Sequence, residues 1–244
     1  MKNTFLNFLL SIMIVVLVPQ VSFADDKEKK KKPWSGRIEA SYTEKKGNTD
    51  DIDFSVGSKL VYAGTVWKHS LSGSYSSYEF SDERLSEETE LSYDIAFFFK
   101  PKHYIFNHLS YEKNIAEDID KRLIEAIGYG HIFIKEKTQN LTAELGIGKR
   151  DTTYISDKAD ELETVGYLGV WYDKNLTKKI SFEQEVIIVG SSDNPVSKST
   201  TGLNLSLTKR LSLGLKYKIS HTENPSDDIE KTDSTIRLAL RFSF

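Results

Sequence analysis

Cysteine is absent from the 244-residue sequence. Its absence excludes disulfide bonds, a thiolate nucleophile, cysteine-ligated zinc and a lipid anchor attached through cysteine. An excess of one charge sign is also lacking, because 33 lysines and arginines stand against 36 aspartates and glutamates. This balance predicts neither a nucleic-acid partner nor a strongly basic membrane-binding surface.

Long hydrophobic runs are scarce as well, and the candidate run lies at the start of the chain. The apolar segment Phe5–Val18 follows a short basic start, and it is shorter than the ~20 residues that a membrane-spanning helix needs. Pro19 then breaks the helix, and Ser22 and Ala24 supply the small residues that precede a cleavage point. The pattern predicts a secretory signal peptide over residues 1–24, cleaved after Ala24.

Residues 25–33 form a charge run that is typical of a disordered periplasmic tail. A tail that binds a specific partner is the alternative. From Trp34 onward no helical period persists, and apolar residues recur at every second position. A period of two is that of a β-strand with two different faces. The sequence therefore predicts one all-β domain over residues 34–244.

The last strand shows this alternation most clearly. Apolar side chains occupy every second position from Ile236 to Phe244, and Arg237 and Arg241 stand between them. Two inward arginines do not suit a soluble core, but they suit a strand with lipid on one side and a wet lumen on the other. The segment therefore predicts the closing strand of an outer-membrane barrel, paired with the strand that begins at Trp34. Phe244 is predicted to act as an assembly signal.

About twelve such strands can be counted, each near the ~9–11 residues that a tilted strand needs to cross a bilayer. Their connections alternate between short turns, such as Lys100–Lys102, and longer acidic loops, such as Phe80–Glu87. Aromatic residues concentrate near the strand ends, as interfacial belts do, and Tyr104 is placed in the belt at the short-turn rim. These features predict a transmembrane antiparallel up-and-down barrel of about twelve strands with both termini in the periplasm.

Some segments show the pattern with less contrast. Asp173–Thr177 is predicted as a short turn and Gly190–Lys198 as a long loop, so the tenth strand is confined to Leu203–Leu207. In the segments 103–113 and 121–133 both faces carry apolar or aromatic residues. The faces of these two strands are therefore left unassigned.

The residues that alternate with the apolar ones are predicted to line the lumen. Both signs of charge occur there, so that salt bridges could plug a narrow barrel or line a selective pore. A soluble periplasmic sandwich or lipocalin-like barrel is the alternative fold, but it would have to bury these charges. The predicted lining is Arg37, Glu39, Asp53, Lys59, Glu90, Asp94, Glu144, Lys216, Arg237 and Arg241.

Four short motifs carry a family resemblance. The opening Trp34-Ser35-Gly36, the turn Gly47-Asn48-Thr49-Asp50 and the glycine-rich segments Ile127–Gly130 and Glu144–Gly148 resemble the YdiY-like salt-induced outer-membrane proteins. The resemblance implies an outer-membrane barrel of unassigned biochemical role, linked to envelope or salt stress. It brings no catalytic residues.

The glycines of these motifs have readings of their own. Gly47 and Asn48 indicate a tight turn, because both residue types tolerate positive φ; a site for a cation or a surface sugar is the alternative. The mid-barrel glycines indicate close approach of neighbouring strands or bending of the barrel. A ligand path through the gap that they leave is the alternative. This second set is Gly128, Gly130, Gly146 and Gly148.

No constellation of residues indicates catalysis. His108 and Ser110 have the spacing found in an outer-membrane phospholipase, but no Asn-Gly step follows Ser110, and Leu109 suits the lipid face better than His108. None of the five histidines follows an aspartate, as an omptin-like protease would require. The sequence therefore predicts a protein that is not an enzyme and has no cofactor or metal.

The leading functional hypothesis is a small passive channel or an envelope-stress barrel. Its expected partners are outer-membrane lipid, lipopolysaccharide and the outer-membrane assembly machinery. A closed structural or binding barrel that acts through acidic outer loops is the alternative. A surface hydrolase of the phospholipase kind is the third hypothesis.

Overall fold

A computed structural model describes residues 33–45, 51–80, 83–192, 194–226 and 229–244. Within these residues, twelve strands close into one antiparallel barrel, in which each strand pairs with its neighbours in sequence and the last pairs with the first. The prediction of an all-β up-and-down barrel of about twelve strands is confirmed. The predicted signal peptide, the tail as far as residue 32 and the Gly47–Asp50 turn lie outside the described residues.

The strands are longer than the alternation alone indicates. A 3-10 helix, η1 (Ile115–Glu117), separates the fifth strand from the sixth. In the part of the chain that the structure describes, no helix is long and apolar enough to cross a membrane. The strands are β1 (Trp34–Lys45), β2 (Asp51–Ala63), β3 (Trp67–Phe80), β4 (Glu83–Lys100), β5 (His103–Asn114), β6 (Ile119–Lys135), β7 (Gln139–Tyr154), β8 (Glu161–Asn175), β9 (Ile180–Gly190), β10 (Pro195–Ser206), β11 (Leu211–Thr222) and β12 (Thr232–Ser243).

The two faces of each strand differ as the alternation predicts. On β12 the exposed fraction is 70% for Ile236 and 58% for Leu238, but 5% for Arg241. The apolar row therefore covers the outside of the barrel and the arginines point into it. This is the arrangement of a strand between lipid and a polar interior.

The faces of β5 and β6 follow from the burial of their residues. On β5 the rings of Tyr104, Phe106 and His108 are buried inside the barrel, while Ile105 and Leu109 are exposed outside. On β6, between Arg122 and Ile132, the even-numbered residues point inward and the odd-numbered apolar ones outward. The placement of Tyr104 in the interfacial belt is wrong, because this wall of the barrel is filled by aromatic side chains from within.

Three predicted connections are wrong because the strands continue through them. β3 and β4 run through most of Phe80–Glu87, and β8 continues to Asn175. β10 begins at Pro195, eight positions before the predicted Leu203. Pro195 is the first residue of its strand, where a missing backbone N–H is tolerated. In these segments at the ends of the strands polar residues occupy both faces, so the two-residue contrast is weak.

The mid-barrel glycines bring neighbouring strands and inner aromatic rings together. A Cβ on Gly130 would overlap the ring of Tyr104, and one on Gly128 would lie 2.7 Å from Cε1 of Phe106. The prediction of close approach at these glycines is confirmed. Aromatic rings fill the space beside Gly128 and Gly130, so the alternative of a ligand path there is wrong.

The seam between β1 and β12 closes the barrel over a short stretch. In the described residues its Cα partners run only from Arg37 with Ser243 to Ala40 with Leu240. Gly36 and Phe244 add two reciprocal backbone hydrogen bonds of 3.0 Å. The barrel domain therefore begins and ends at one rim, the rim that also carries the short turns.

Candidate functional site

The barrel encloses a cavity of about 740 Å³. Residues from all twelve strands line it, and charged and hydroxyl side chains make up much of that lining. One wall carries a row of serines on β3, of which Ser72 Oγ lies 2.7 Å from Ser92 Oγ of β4. The barrel therefore encloses space for water beside charged and hydroxyl groups.

The residues predicted to line the lumen all lie on inward-facing positions of their strands. Two of them, Asp53 and Arg241, do not line the cavity directly. Asp53 Oδ1 lies 3.7 Å from Arg237 Nε, and Arg241 is buried against acidic neighbours. The other eight line the cavity directly: Arg37, Glu39, Lys59, Glu90, Asp94, Glu144, Lys216 and Arg237.

A group of ion pairs, here called the outer cluster, crosses the lumen towards the long-loop rim. Lys198 Nζ on β10 lies 2.8 Å from Glu90 Oε1 on β4 and 2.7 Å from Glu112 Oε1 on β5. Four strands separate β10 from β5 on one side of the barrel and six on the other. The lysine side chain therefore bridges nearly opposite walls and narrows the passage. The cluster comprises Glu88, Glu90, Glu112, Glu117, Arg122, Lys198 and Lys218.

The remaining members extend this network around the lumen. Lys218 Nζ lies 2.6 Å from Glu88 Oε1, and Arg122 NH1 lies 3.2 Å from Glu112 Oε2. Ligand oxygens of Glu88, Glu90 and Glu112 lie within 4.8 Å of one another, a spacing that could suit a metal ion. The ammonium groups of Lys198 and Lys218 already lie beside these carboxylates, so the cluster is held by internal ion pairs between its four carboxylates and three cations.

Glu117 closes the cluster from η1. Its Oε2 lies 3.8 Å from Arg122 NH1, and Ser220 Oγ donates a 3.3 Å hydrogen bond to its Oε1. Burial and the neighbouring Glu112 carboxylate raise the pKa of Glu117 above its ordinary value. Glu117 therefore gains a proton at a higher pH than an ordinary glutamate does.

A second set of ion pairs lies on the β9, β11, β12 and β1 side, nearer the short-turn rim. Arg241 NH1 lies 2.7 Å from Glu183 Oε1, and Arg241 Nε lies 3.2 Å from Glu39 Oε2. Lys216 Nζ also contacts Glu39. These pairs fix Glu39 and Arg241 in a network and leave them little freedom to bind a solute.

A third group, here called the mouth ring, lies at the short-turn end. It comprises Arg37, Lys59 and Lys68 on β1–β3 and Asp173 and Glu183 on β8 and β9. Arg37 and Lys59 are direct cross-strand partners, and so are Asp173 and Glu183. The ring therefore carries a cationic side and an acidic side.

The wall formed by β4 to β9 combines apolar packing with hydrogen bonds to carboxylates. Tyr104 Oη donates to Glu144 Oε1 at 2.7 Å, and Trp171 Nε1 donates to Glu185 Oε2 at 2.7 Å. The buried cluster behind them contains Ala96, Tyr104, Phe106, Ala126, Val165, Tyr167 and Val189. This wall is rigid and gives one side of the lumen aromatic faces.

The histidine and serine weighed as a hydrolase pair both lie on the inner face of β5. His108 Nδ1 lies 2.6 Å from Asp94 Oδ1, and the ring packs against Tyr167. Among the described residues no hydrogen bond joins Ser110 to His108. A nucleophile needs its base within hydrogen-bond reach, so this arrangement does not by itself activate Ser110.

Sequence reasoning missed Lys198 and Asp173, because it placed both in connections. Continuing the two-residue period backwards from Leu203 would have put Lys198 on the inner face of β10. Continuing it forwards along β8 from Trp171 would have done the same for Asp173. Glu112 and Arg122 were missed because the faces of their strands could not be assigned.

The chain resembles known proteins over most of its length. It is 28% identical over 220 residues to the uncharacterized protein YdiY of Escherichia coli strain K12, covering 90% of this chain and 86% of the relative. The NanC porin superposes with a TM-score of 0.52 at 7% identity, over 85% of this chain and 98% of that one. The KdgM porin gives a TM-score of 0.47 at 10% identity, over 86% and 99%.

The likeness to the NanC porin shows a common barrel fold. A family model for proteins of unknown function matches residues 38–244, which is the whole barrel apart from the start of β1. The chain therefore belongs to the DUF481 family.

Proposed function

We propose that the protein is a passive channel for small polar solutes in the outer membrane. The observation that carries this proposal is the cavity of about 740 Å³, lined by charged and hydroxyl groups from every strand. A barrel with an apolar outside and a polar, hydrated inside supports diffusion of polar solutes along its axis.

The outer cluster makes this channel a narrow one. Lys198 spans the lumen between Glu90 and Glu112, so that ions must pass beside this lysine and its two paired carboxylates rather than through an open ring. The conductance should therefore be small, and it should rise when the bridge is removed.

Single-channel recording in planar bilayers tests the proposal. The refolded protein should give discrete open-pore steps, and the double variant Lys198→Gln/Glu112→Gln should give larger ones. The double change removes one charge of each sign, and Glu90 keeps Lys218 as a partner at 3.5 Å, which limits the cost of an unpaired buried charge. Lys149→Gln, an exposed position on the outer face of β7, should leave the steps unchanged. Absence of steps from both the wild type and the double variant would contradict the channel.

The same cluster favours a second candidate, a closed structural or binding barrel that acts through its outer loops. Salt bridges across the lumen can plug a barrel as well as line it. Steps that appear only in Lys198→Gln/Glu112→Gln would support this closed barrel over the channel.

Catalysis is not part of the proposal, and the phospholipase-like hydrolase is its weakest competitor. The bonding of His108 to Asp94 leaves that histidine oriented but not joined to Ser110. Phospholipid turnover that Ser110→Ala abolishes would reverse this view.

The proposal includes a cell-envelope setting. We place both ends of the barrel domain in the periplasm, with residues 1–24 removed as a signal peptide. Lipid and lipopolysaccharide would surround the apolar outer face, and the assembly machinery would read Phe244. A role under envelope or salt stress is the physiological part of the same proposal. Loss of Phe244 should slow assembly in cells much more than unassisted refolding in vesicles.

A further inference from the structure

We propose that the mouth ring binds small zwitterionic solutes, with the carboxylate on the lysine side and the ammonium group on the Asp173 side. The inference deepens the proposed channel function, because it names the class of solute that the lumen would favour. It rests on the placement, pairing and accessibility of five side chains: Arg37, Lys59, Lys68, Asp173 and Glu183.

The two sides of the ring face each other across the barrel. Lys59 lies on β2 and Asp173 on β8, with five strands between them in either direction around the barrel. Arg37, Lys59 and Lys68 all lie within electrostatic range of Asp173. The ring therefore sets up an electric field across the lumen rather than along it.

Several charged side chains of the mouth ring have no ion-pair partner. Among the described residues, the side chains of Lys59, Lys68 and Asp173 have neither an ion pair nor a hydrogen bond, whereas the basic members of the outer cluster are all in ion pairs. Arg37 has one contact, at 4.0 Å to Glu183. Charged side chains without partners in the lumen are groups available to a solute, and Lys59, Lys68 and Asp173 are three of them.

The ring also costs the fold stability. Like charges placed directly opposite each other on neighbouring strands are destabilising, and the ring contains two such pairs, Arg37 with Lys59 and Asp173 with Glu183. The outer cluster shows that this lumen can alternate opposite charges. Arg241 and Arg37 offset the charge of Glu183, but Lys59, Lys68 and Asp173 have no such partner, which points to a binding role for these three side chains rather than to a stabilising one.

The chemistry selects the class of solute. All five ring residues line the cavity, so a solute in the lumen reaches both sides. An anion would be attracted by Lys59 and Lys68 but repelled by Asp173, and a cation would meet the reverse. A small zwitterion with separated charges satisfies both sides at once, and the nearby indole of Trp171 offers its aliphatic part an apolar surface.

Binding of three matched probes tests the site. We would measure saturation-transfer NMR on the full barrel in detergent micelles with 4-aminobutanoate, butanoate and butylammonium, which share one carbon chain. The zwitterion should bind at least about tenfold more tightly than either single-charge probe, a difference of about 1.4 kcal/mol. Folding of each variant would be checked by circular dichroism and heat-modifiable migration.

The variants assign the two sides. Asp173→Asn should reduce zwitterion affinity to that of butanoate, and Lys59→Gln/Lys68→Gln should reduce it to that of butylammonium. Lys149→Gln, the same change on the outer face, should have no effect. Equal affinity for the three probes, or zwitterion binding indifferent to both ring variants, would overturn the site.

The outcome is separable from that of the channel proposal, because binding in micelles requires no ion flow. Open-pore steps with no preference for the zwitterion would leave the channel standing and remove the site. Selective binding without steps would keep the site and contradict the channel.

Discussion

Glycine residues, which have no side chain, allow close packing within one wall of the barrel. Gly128 and Gly146 are cross-strand partners on β6 and β7, and the ring of Phe106 lies over both. Aromatic cover of this kind compensates for the stability that glycine takes from a strand. The packing of the wall that carries Tyr104 and Glu144 therefore depends on the absence of side chains at Gly128 and Gly146.

Gly128→Ala should destabilise the barrel by about 1–3 kcal/mol, the scale of overpacking in a tight site. Its Cβ would overlap the Leu145 carbonyl oxygen, and backbone yields less readily than a side chain. Gly166→Ala is the matched control, because its Cβ would meet its nearest atom at an ordinary 3.8 Å. Urea unfolding in lipid vesicles measures both, and an equal effect at the two positions would contradict the packing explanation.

Glu117 should make stability depend on pH with a sign opposite to that of most carboxylates. An acid whose pKa is raised by folding contributes stability below its ordinary pKa and loses it as the pH rises through the raised value. Glu112 and Glu88 repel its charged form, while Arg122 and Lys198 attract it. Burial and the acidic neighbours outweigh the cations.

Glu117→Gln should therefore stabilise the barrel at about pH 8, by roughly 0.5–1 kcal/mol as for one like-charge contact. The gain should vanish near about pH 4, where the wild-type carboxyl is protonated. Glu223→Gln is the control of opposite sign, because hydrogen bonds from Lys231 and His221 lower the pKa of exposed Glu223. If Glu117→Gln made the barrel less stable than wild type at the higher pH, the Arg122 contact would be the dominant one.

At the scale of the element, β12 shows how lipid and lumen divide a single strand. Leu238 lies near the middle of β12 with 58% of its surface exposed, on the face away from Arg237. Exposure of an apolar row in a closed barrel has a simple cause, since hydrocarbon replaces the protein core that a soluble strand would pack against.

Leu238→Arg should cost about 2–4 kcal/mol, the value for a basic residue on the lipid face at the bilayer midplane. Ile180→Arg is the control at the short-turn rim, where β9 begins, and should cost about 0–1 kcal/mol because the interface is polar. The free energy of unfolding in vesicles measures both. Equal costs would mean that depth in the membrane does not determine the effect.

The strands differ in how far their sequences predict them. β12 could be predicted with its faces and its pairing partner, because its apolar and charged residues differ strongly along the whole span. The outer part of β10 could not, because Val196–Thr201 carries polar residues on both faces beyond the hydrocarbon. The position of β5 in the sequence could be predicted, but not which of its faces points to the lumen, because aromatic residues face both the lumen and the lipid.

The candidate site follows the same division. Arg37, Lys59 and Arg241 could be assigned to the lumen from alternation alone. The side chains that bridge or face them across the barrel depend on which strands lie opposite, and local sequence contains no such information. Lys198 and Asp173 become visible only when the barrel is closed.

At the scale of the whole molecule, the charged side chains of the lumen form separate groups along the barrel axis, with the outer cluster towards the long-loop rim and the mouth ring at the short-turn rim. The charged side chains of the outer cluster are in ion pairs with one another, whereas Lys59, Lys68 and Asp173 of the mouth ring line the lumen without such partners. Salt screens exposed charges more than buried pairs. Solute preference set by the ring should therefore weaken at high ionic strength, while the narrowing by Lys198 should persist.

The orientation of the molecule in the membrane can be tested with added cysteines, because the natural sequence has none. Ala159→Cys, in the loop after β7, should react with a membrane-impermeant maleimide in intact cells. Lys137→Cys, in the short turn before β7, should react only after the outer membrane is permeabilised. The reverse pattern would place the long loops in the periplasm and contradict the proposed orientation.

The short seam between β1 and β12 determines at which step of folding the barrel closes. Ala40 and Leu240 are paired across it although the whole barrel sequence lies between them, whereas the other strand pairs join neighbours along the chain. Loop closure over such a separation is the slowest contact to form. We therefore expect the strands to pair first as consecutive hairpins in an open sheet. The enclosed lumen then forms last, in one step, when β12 pairs with β1.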